Sequence, residues 1–355
     1  MKKSAYNFWT ALVLAAVLTS CSTAGIQMTL PLEGFDTVSI VGENETHALL
    51  ANRNYVASSM LSNNKVIRLL LAIMLLLILY RQMKELARQK KELEQKNKEI
   101  DDSLRAAKRI QEATFPAKEY WNSVFSEHHF IYYKPFDNVG GDFYWMDRRD
   151  DYIIVAVADC TGHGVPGALL SMLGISTLYK IAGKMEEPKA DVILNELRDE
   201  IIRLLNPMGK IDEQRNEGMD IALVVIHTKS NKLEFSGANN PLWLVRVSDE
   251  QPQLVEIKPD RMPIGIYPNQ EKKFTSSFFE YQSGDTVYLF SDGFADQFGS
   301  ANKGKFKTKK FKNLLCSINA RSMKEQADIL DTAHLAWIED EKQTDDILVV
   351  GIKLS

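Results

Sequence analysis

Aspartates beside glycines, at the ends of apolar runs, are the residues of this sequence best suited to chemistry. They are Asp142, Asp159, Asp292 and the pair Asp345-Asp346. Glycine lets backbone and water approach a bound ion closely, and carboxylate oxygens are the ligands that Mg²⁺ and Mn²⁺ prefer. One such aspartate could simply form a turn or cap a helix. Four such positions in one region favour a metal centre.

The elements that must position these aspartates are mainly strands. The apolar run 152–158 predicts a buried strand that ends at Asp159. Further strands are predicted at 130–133, 221–227, 232–236, 242–247, 286–291 and 347–352. Helices are predicted at 165–182, where a proline in the first turn is tolerated, and at 189–205.

Seven ordered motifs resemble those of the SpoIIE/RsbU-type serine phosphatases, a bacterial branch of the PPM (type 2C) family. They are RIQ at 109–111 leading to FP at 115–116, VGGDFY at 139–144, DCTGHGVPGA at 159–168, GMDIA at 218–222, ANNP at 238–241, SDG at 291–293 and DDI at 345–347. The resemblance covers about residues 105–355, in the family's order and spacing.

The resemblance implies an α+β fold over residues 114–355, an α-β-β-α sandwich of two antiparallel sheets flanked by helices. It also implies two Mn²⁺ or Mg²⁺ ions at one edge of the sandwich. The catalytic and metal-binding residues would be Asp142, Asp159 and Asp292, with Asp345 and the carbonyl group of Cys160 completing the ligands. Asp346 stays open as the alternative to Asp345.

Four residues of these motifs have two interpretations each. Cys160 as a nucleophile is disfavoured, because the phosphate loop of cysteine phosphatases, with its arginine, is absent. His163 could assist the leaving serine oxygen or cap the following helix, and the cap is favoured. Asp220 could support the metal ligands from behind or order the start of a strand, and Asp346 could likewise be a supporting residue.

The N-terminus has the layout of a secretory signal, with a basic start, an apolar stretch and small residues before Cys21. Residues 1–21 therefore resemble a lipoprotein signal whose cysteine is lipidated, and the alternative is an uncleaved membrane anchor. Residues 22–64 would then form a short extracytoplasmic segment with too little apolar surface for a rich core.

Residues 65–80 form an apolar segment that predicts a transmembrane helix, although a bilayer core asks for about 20 residues. A buried core helix is the alternative. Five basic residues lie at 81–91, whereas 51–64 contains only Arg53, so the positive-inside rule places the C-terminal part in the cytoplasm. We therefore expect a protein of the bacterial inner membrane with a cytoplasmic catalytic domain.

Residues 81–113 lack proline and glycine and predict a continuous helix. One apolar seam repeats every seven residues at Leu79, Leu86, Leu93, Ile100 and Ala107. The second seam, at 83, 90, 97 and 104, is weaker. We expect a parallel coiled coil that makes the chain a homodimer, and a single charged linker helix is the alternative.

The net charge, the cysteine spacing and the positions of histidine argue against three other classes of protein. A net charge of −4 argues against a nucleic-acid-binding protein, and the three cysteines have no zinc spacing. A histidine kinase is disfavoured because residues 81–113 contain no histidine.

The favoured function is a membrane-linked phosphatase for phosphoserine or phosphothreonine on a regulatory protein. By resemblance, its substrate is an anti-sigma-factor antagonist, and residues 104–116 switch the order of the metal site. The alternative is a catalytically silent scaffold that binds a phosphoprotein. The basic run 303–312 is expected to be a solvated loop that can attract such a partner.

Overall fold

The computed structural model describes residues 43–206, 217–248, 251–267, 271–300 and 303–355, with side chains from residue 64 onward. The predicted lipoprotein signal at 1–21 and the first half of the segment 22–64 lie outside the described residues. The chain forms two units, residues 1–89 and 90–355.

Helix α1 (Glu43–Glu112) is one uninterrupted helix of 70 residues. It contains both the apolar segment 65–80 and the predicted coiled coil, and it begins within the predicted extracytoplasmic segment, whose second half is therefore helical. Its apolar part is exposed and has a mean hydropathy of 2.0, so it is long and apolar enough to cross a membrane. Pro116 follows soon after the helix ends, as expected for a residue that cannot continue one.

The second unit contains two antiparallel sheets. Sheet I has the strand order β1-β13-β10-β6-β7 and sheet II the order β2-β3-β4-β5-β9, with β8 also paired to β4. The strands are β1 (His129–Lys134), β2 (Phe143–Arg149), β3 (Tyr152–Cys160), β4 (Gly218–His227), β5 (Lys232–Ala238), β6 (Leu242–Ser248), β7 (Gln251–Ile257), β8 (Ile264–Gly265), β9 (Ser277–Glu280), β10 (Thr286–Phe290) and β13 (Ile347–Lys353). A separate hairpin joins β11 (Phe298–Gly299) and β12 (Gly304–Lys305).

The remaining helices are α2 (Lys118–Phe125), α3 (Gly164–Ala182), α4 (Ala190–Leu205), α5 (Gly293–Asp296), α6 (Thr308–Ile318) and α7 (Met323–Ile338). Most of them cover the outer faces of the sheets, whereas α2 packs Trp121 and Phe125 into the core between the sheets. Helix α3 is also apolar enough for a membrane span, but more than half of it is buried within this unit. It is a core helix here.

Three apolar clusters give the unit its four layers. One lies between the two sheets, one between sheet II and helices α3 and α4, and one between sheet I and helices α6 and α7. Strand β3 illustrates this layering, because its alternate side chains enter different clusters. Val155 and Val157 point into the inter-sheet core, whereas Ile154 and Ala156 pack toward the helices. A strand buried on both faces is continuously apolar. The expected α+β architecture with antiparallel sheets is confirmed.

Several details differ from the sequence-based prediction. Strands β2, β7, β8 and β9 were not predicted, although β2 pairs with β3 along its whole length and β7 pairs with β6. Strand β3 extends to Cys160, one residue beyond Asp159, at which the predicted strand ended. The basic run 303–312 is not one loop, because it contains β12 and the start of α6.

Candidate metal centre

A cavity of about 370 Å³ lies where the two sheets meet. Its lining comprises Asp159, Cys160, Thr161, Gly162, His163, Asp220, Asp292 and Asp345. Three of the aspartates predicted as metal ligands therefore face one space, together with Asp220. Asp142 does not line the cavity.

Strand pairing explains why these carboxyl groups converge. Asp159 on β3 lies directly opposite Asp220 on the antiparallel strand β4. Asp292 follows β10 and Asp345 shortly precedes β13, and these two strands are antiparallel neighbours. The end of one strand and the start of the next lie at the same edge of a sheet. Each sheet thus contributes two aspartates to the cavity.

Asp142 is buried next to this group, with 1% of its surface exposed. Its Oδ2 atom has no hydrogen-bond partner. Burial raises the pKa of the carboxyl group well above its ordinary range, the charge of Asp159 adds to this, and a hydrogen bond from Ser291 opposes it. A buried, unpaired carboxylate oxygen is costly, so this atom needs a proton or a cation.

The aspartates that line the cavity repel one another. Burial raises the pKa of Asp159 to about 8, and the charges of Asp292 and Asp345 add to the effect. Burial also raises the pKa of Asp292, with Asp345 as the next cause. These groups are therefore destabilised as anions in the absence of a counter-charge.

Asp346 and Asp345 differ in their surroundings. The Asp346 carboxylate accepts backbone N–H groups of Phe136 at 2.6 Å and Gly141 at 2.5 Å, with Asp142 at 3.4 Å. These hydrogen bonds connect the start of β13 to the turn before β2, and we call this connection the Asp346 brace. Asp345 lines the cavity instead. Asp345 therefore faces the shared space, whereas the Asp346 carboxylate is held by backbone donors beside Asp142.

Two positions at the site favour glycine for different reasons. Gly162, in the turn after β3, has φ of 84°, a conformation that other residues rarely adopt. At Gly293 a Cβ atom would overlap the carbonyl oxygen of Asp346. Glycine at 293 therefore lets the Asp292 turn lie against the Asp345-Asp346 turn.

The side chains of Cys160 and His163 differ in their surroundings at the cavity. Burial, reinforced by Asp142 and Asp159, raises the pKa of the Cys160 thiol well above its ordinary range, so the thiol stays protonated. His163 occupies the N-cap position of α3 but makes no capping hydrogen bond, so the predicted cap is wrong. Its ring packs edge-on against Phe136, 4.9 Å away, because an exposed imidazole gains from aromatic contact.

Two further polar residues support the site, and the sequence motifs contained both without a stated role. Gln111, 3% exposed, donates from Nε2 to the carbonyl oxygen of Gly140 at 2.6 Å and to Ser171 Oγ at 2.8 Å. Asn239 donates from Nδ2 to Asp220 Oδ1 at 2.8 Å. Their position inside family-like motifs was the only available signal.

No group of three or more His, Cys, Asp or Glu side chains in the described part of the chain is already arranged to hold a metal ion. The donor chemistry nevertheless fits divalent cations. The cavity contains four carboxylates, of which Asp159 and Asp292 have pKa values raised by burial and by neighbouring charges, and Asp142 Oδ2 beside it lacks any partner. Oxygen ligands of this kind suit Mg²⁺ and Mn²⁺.

Comparison with known proteins gives consistent matches for this unit. Residues 149–355 match the family model described as Stage II sporulation protein E (SpoIIE). The SiaA-PP2C domain of Pseudomonas aeruginosa is similar at 30% identity with a TM-score of 0.65, covering 73% of this chain and 98% of that one. No curated protein sequence matches the chain.

A second solved structure supports the fold alone. It is the PP2C phosphatase domain of SpoIIE from Bacillus subtilis with a fragment of its regulatory domain. The identity is 18% and the TM-score 0.52, covering 64% of this chain and 61% of that one.

Proposed function

Because the chain belongs to the SpoIIE family and is therefore a PP2C-type serine/threonine phosphatase, we propose that it dephosphorylates a regulatory protein in membrane-linked signalling. The proposed substrate carries phosphoserine or phosphothreonine and resembles an anti-sigma-factor antagonist. The observation that carries the catalytic part is the cavity where Asp159, Asp220, Asp292 and Asp345 converge beside the unpaired oxygen of Asp142.

We propose that Asp142, Asp159, Asp292 and Asp345 hold two Mn²⁺ or Mg²⁺ ions, with the Cys160 carbonyl as a further oxygen ligand. Such a pair of ions lowers the pKa of water and stabilises in-line displacement at phosphorus. Their charge would also relieve the repulsion that raises the pKa of Asp159.

The surrounding residues of the chain hold these carboxylates in position. The Asp346 brace fixes the Gly141 backbone next to Asp142, and Ser291 donates a hydrogen bond to the Asp142 carboxylate. Asn239 orients Asp220. Because the Cys160 thiol stays protonated, no covalent cysteine intermediate is expected.

The test is hydrolysis of p-nitrophenyl phosphate by the purified chain in detergent, with Mn²⁺, with Mg²⁺ and with EDTA. Asp142→Ala and Asp292→Ala should each abolish metal-dependent turnover. Asp199→Ala is the matched control, because Asp199 is a 64% exposed side chain on α4, outside the site. Equal turnover in EDTA would contradict the metal mechanism.

The scaffold alternative is supported by one observation, the absence of a preassembled metal group among the described residues. It predicts that the folded chain binds neither Mn²⁺ nor Mg²⁺ in calorimetry. If the chain binds metal but shows no turnover, it is instead an enzyme that stays inactive until its signal is received.

The membrane link rests on α1. Its apolar part, residues 66–80, is exposed throughout the described side chains, and a bilayer would cover that surface. We propose that residues 65–80 span the bacterial inner membrane and that the unit from residue 90 onward is cytoplasmic. The exposed seam residues Leu86, Leu93 and Ile100 would pair with a second copy, which makes the chain a homodimer.

Signal transmission would pass through residues 104–116. Gln111, at the end of α1, contacts both the Gly140 turn next to Asp142 and Ser171 on α3. A shift of α1 would therefore move a backbone segment adjacent to a proposed ligand. Insertion of a few in-frame residues into the coiled coil should change turnover, and unchanged turnover in a dimeric variant would contradict the switch.

A further inference from the structure

A second cavity, of about 420 Å³, shares one residue with the metal centre. Asp292 lines both spaces. The other charged residues of this second cavity are Glu256, Lys258, Arg261 and Asp296. We call it the flanking cavity.

Charge pairing within the flanking cavity leaves Arg261 without a counter-charge. Glu256 is paired with Lys312 at 2.8 Å, and Asp296 with Lys305 at 2.7 Å. Lys258 forms no ion pair in the described part of the chain, but after Lys312 its charge helps to lower the pKa of Glu256. Arg261 forms neither an ion pair nor a side-chain hydrogen bond with the described residues. Since Asp292 belongs to the metal centre, the net charge that the flanking cavity offers a ligand is positive.

The backbone around Arg261 is held firmly. Asp260 donates its N–H to the Gly237 carbonyl and accepts the N–H of Asn239, each at 2.9 Å. Met262, on the other side, is buried. Arg261 is exposed and lies between these two anchored residues, so the position of its backbone is fixed. It is adjacent to the turn at Asn239, whose side chain orients Asp220.

We propose that the flanking cavity docks the polypeptide on one side of the phosphorylated residue, and that Arg261 and Lys258 select acidic side chains there. This inference rests on the proposed phosphatase function. Asp292 lies at the boundary between the metal centre and the flanking cavity. An extended chain advances only about 3.3 Å per residue, so a substrate that leaves the metal centre over Asp292 brings its neighbouring residues into the flanking cavity. Guanidinium groups suit carboxylates because they form paired hydrogen bonds.

The test compares kcat/KM for two phosphoserine peptides, one with glutamates and one with glutamines beside the phosphoserine. Each value is divided by that for p-nitrophenyl phosphate, using the full chain in detergent with Mn²⁺. Arg261→Glu should lower the normalised value for the glutamate peptide by about fivefold, which is the scale of one exposed charge pair. The normalised value for the glutamine peptide should change much less.

Arg148→Glu is the matched control. Arg148 is an exposed arginine at the far end of β2 from Asp142, and it lines neither cavity. It should leave both normalised values unchanged. The decisive quantity is the normalised value for the glutamate peptide divided by that for the glutamine peptide. If this ratio is the same for Arg261→Glu and for the unaltered chain, the docking proposal is overturned.

A binding measurement separates this proposal from the catalytic one. With Mn²⁺ present, fluorescence anisotropy of a labelled, unphosphorylated glutamate peptide, which the chain cannot hydrolyse, should show binding that Arg261→Glu weakens and that added salt reduces. If the chain binds this peptide but hydrolyses no phosphorylated substrate, the docking proposal is supported and the proposed catalytic function is contradicted. Complete displacement of the peptide by millimolar inorganic phosphate alone would indicate a simple anion site and would overturn polypeptide docking.

Discussion

The carboxylate of Asp346 accepts the backbone N–H of Gly141 at 2.5 Å, which joins two segments 205 residues apart in sequence. The same carboxylate accepts the N–H of Phe136 through its other oxygen. The adjacent Asp345 faces the cavity of the metal centre. Two neighbouring aspartates of similar appearance in sequence thus have different surroundings, and their substitutions should have different effects.

Asp346→Asn should destabilise the fold by about 2 kcal/mol, the usual cost of leaving a buried hydrogen-bonding group unsatisfied. Asparagine has one acceptor oxygen in place of two, so its amide group would face a backbone N–H. Urea denaturation in EDTA measures the change. Asp345→Asn should not lower that stability, because it removes a charge that, after burial, raises the pKa of Asp159; it should instead reduce the rise in melting temperature caused by Mn²⁺. A stable Asp346→Asn variant would show that the brace is unimportant.

Asp159→Asn should stabilise the metal-free chain at pH 8 while abolishing turnover. The pKa of Asp159 is raised from 3.8 to about 8 in the folded state, so the folded chain binds that proton more tightly than the unfolded chain. Stability therefore falls as pH rises between these two values. Asparagine carries no charge and avoids this loss.

The measurement for Asp159→Asn is the urea midpoint in EDTA at pH 6 and at pH 8. The unaltered chain should be less stable at pH 8, and the variant should show a smaller decrease. Asp199→Asn, at an exposed position on α4, should behave like the unaltered chain. A stability that rises with pH in the unaltered chain would refute the sign of this prediction.

Gln111→Leu should raise the Mn²⁺ concentration needed for half-maximal turnover by about tenfold, a typical effect of losing a group that supports metal ligands. Leucine keeps the volume but leaves the Gly140 carbonyl and the Ser171 hydroxyl without their bonds to Gln111. Gln95→Leu is the control, because Gln95 lies on the same helix and bonds only to Glu99, at the surface. An unchanged Mn²⁺ requirement in a folded Gln111→Leu variant would argue against coupling through α1.

Leu93→Glu combined with Ile100→Glu should convert a dimer into a monomer in detergent, as measured by sedimentation. Both side chains lie on the exposed seam of α1, and charged residues facing each other across a coiled coil repel. Gln95→Glu, off the seam, should leave the dimer intact. A dimer that survives the double substitution would mean that association does not use this seam.

The sequence by itself determined the elements and the family. The apolar run at 152–158 predicted a strand because burial on both faces requires continuous apolar residues. The motifs at 139–144, 159–168 and 291–293 marked the aspartates, since local residue types are enough to identify a turn next to a strand. Strand β2 escaped prediction because FYWMDRR lacks a clear alternation, and its structure depends on pairing with β3.

Only the tertiary structure decided which aspartates share a space and what each one contacts. The register of β3 and β4 brings Asp159 opposite Asp220, and the pairing of β10 with β13 brings Asp292 to Asp345. The difference between Asp345 and Asp346, the burial of Gln111 and the unmatched charge of Arg261 all depend on contacts between residues far apart in the chain. A local stretch of sequence does not determine such contacts, because packing and strand register are properties of the whole fold.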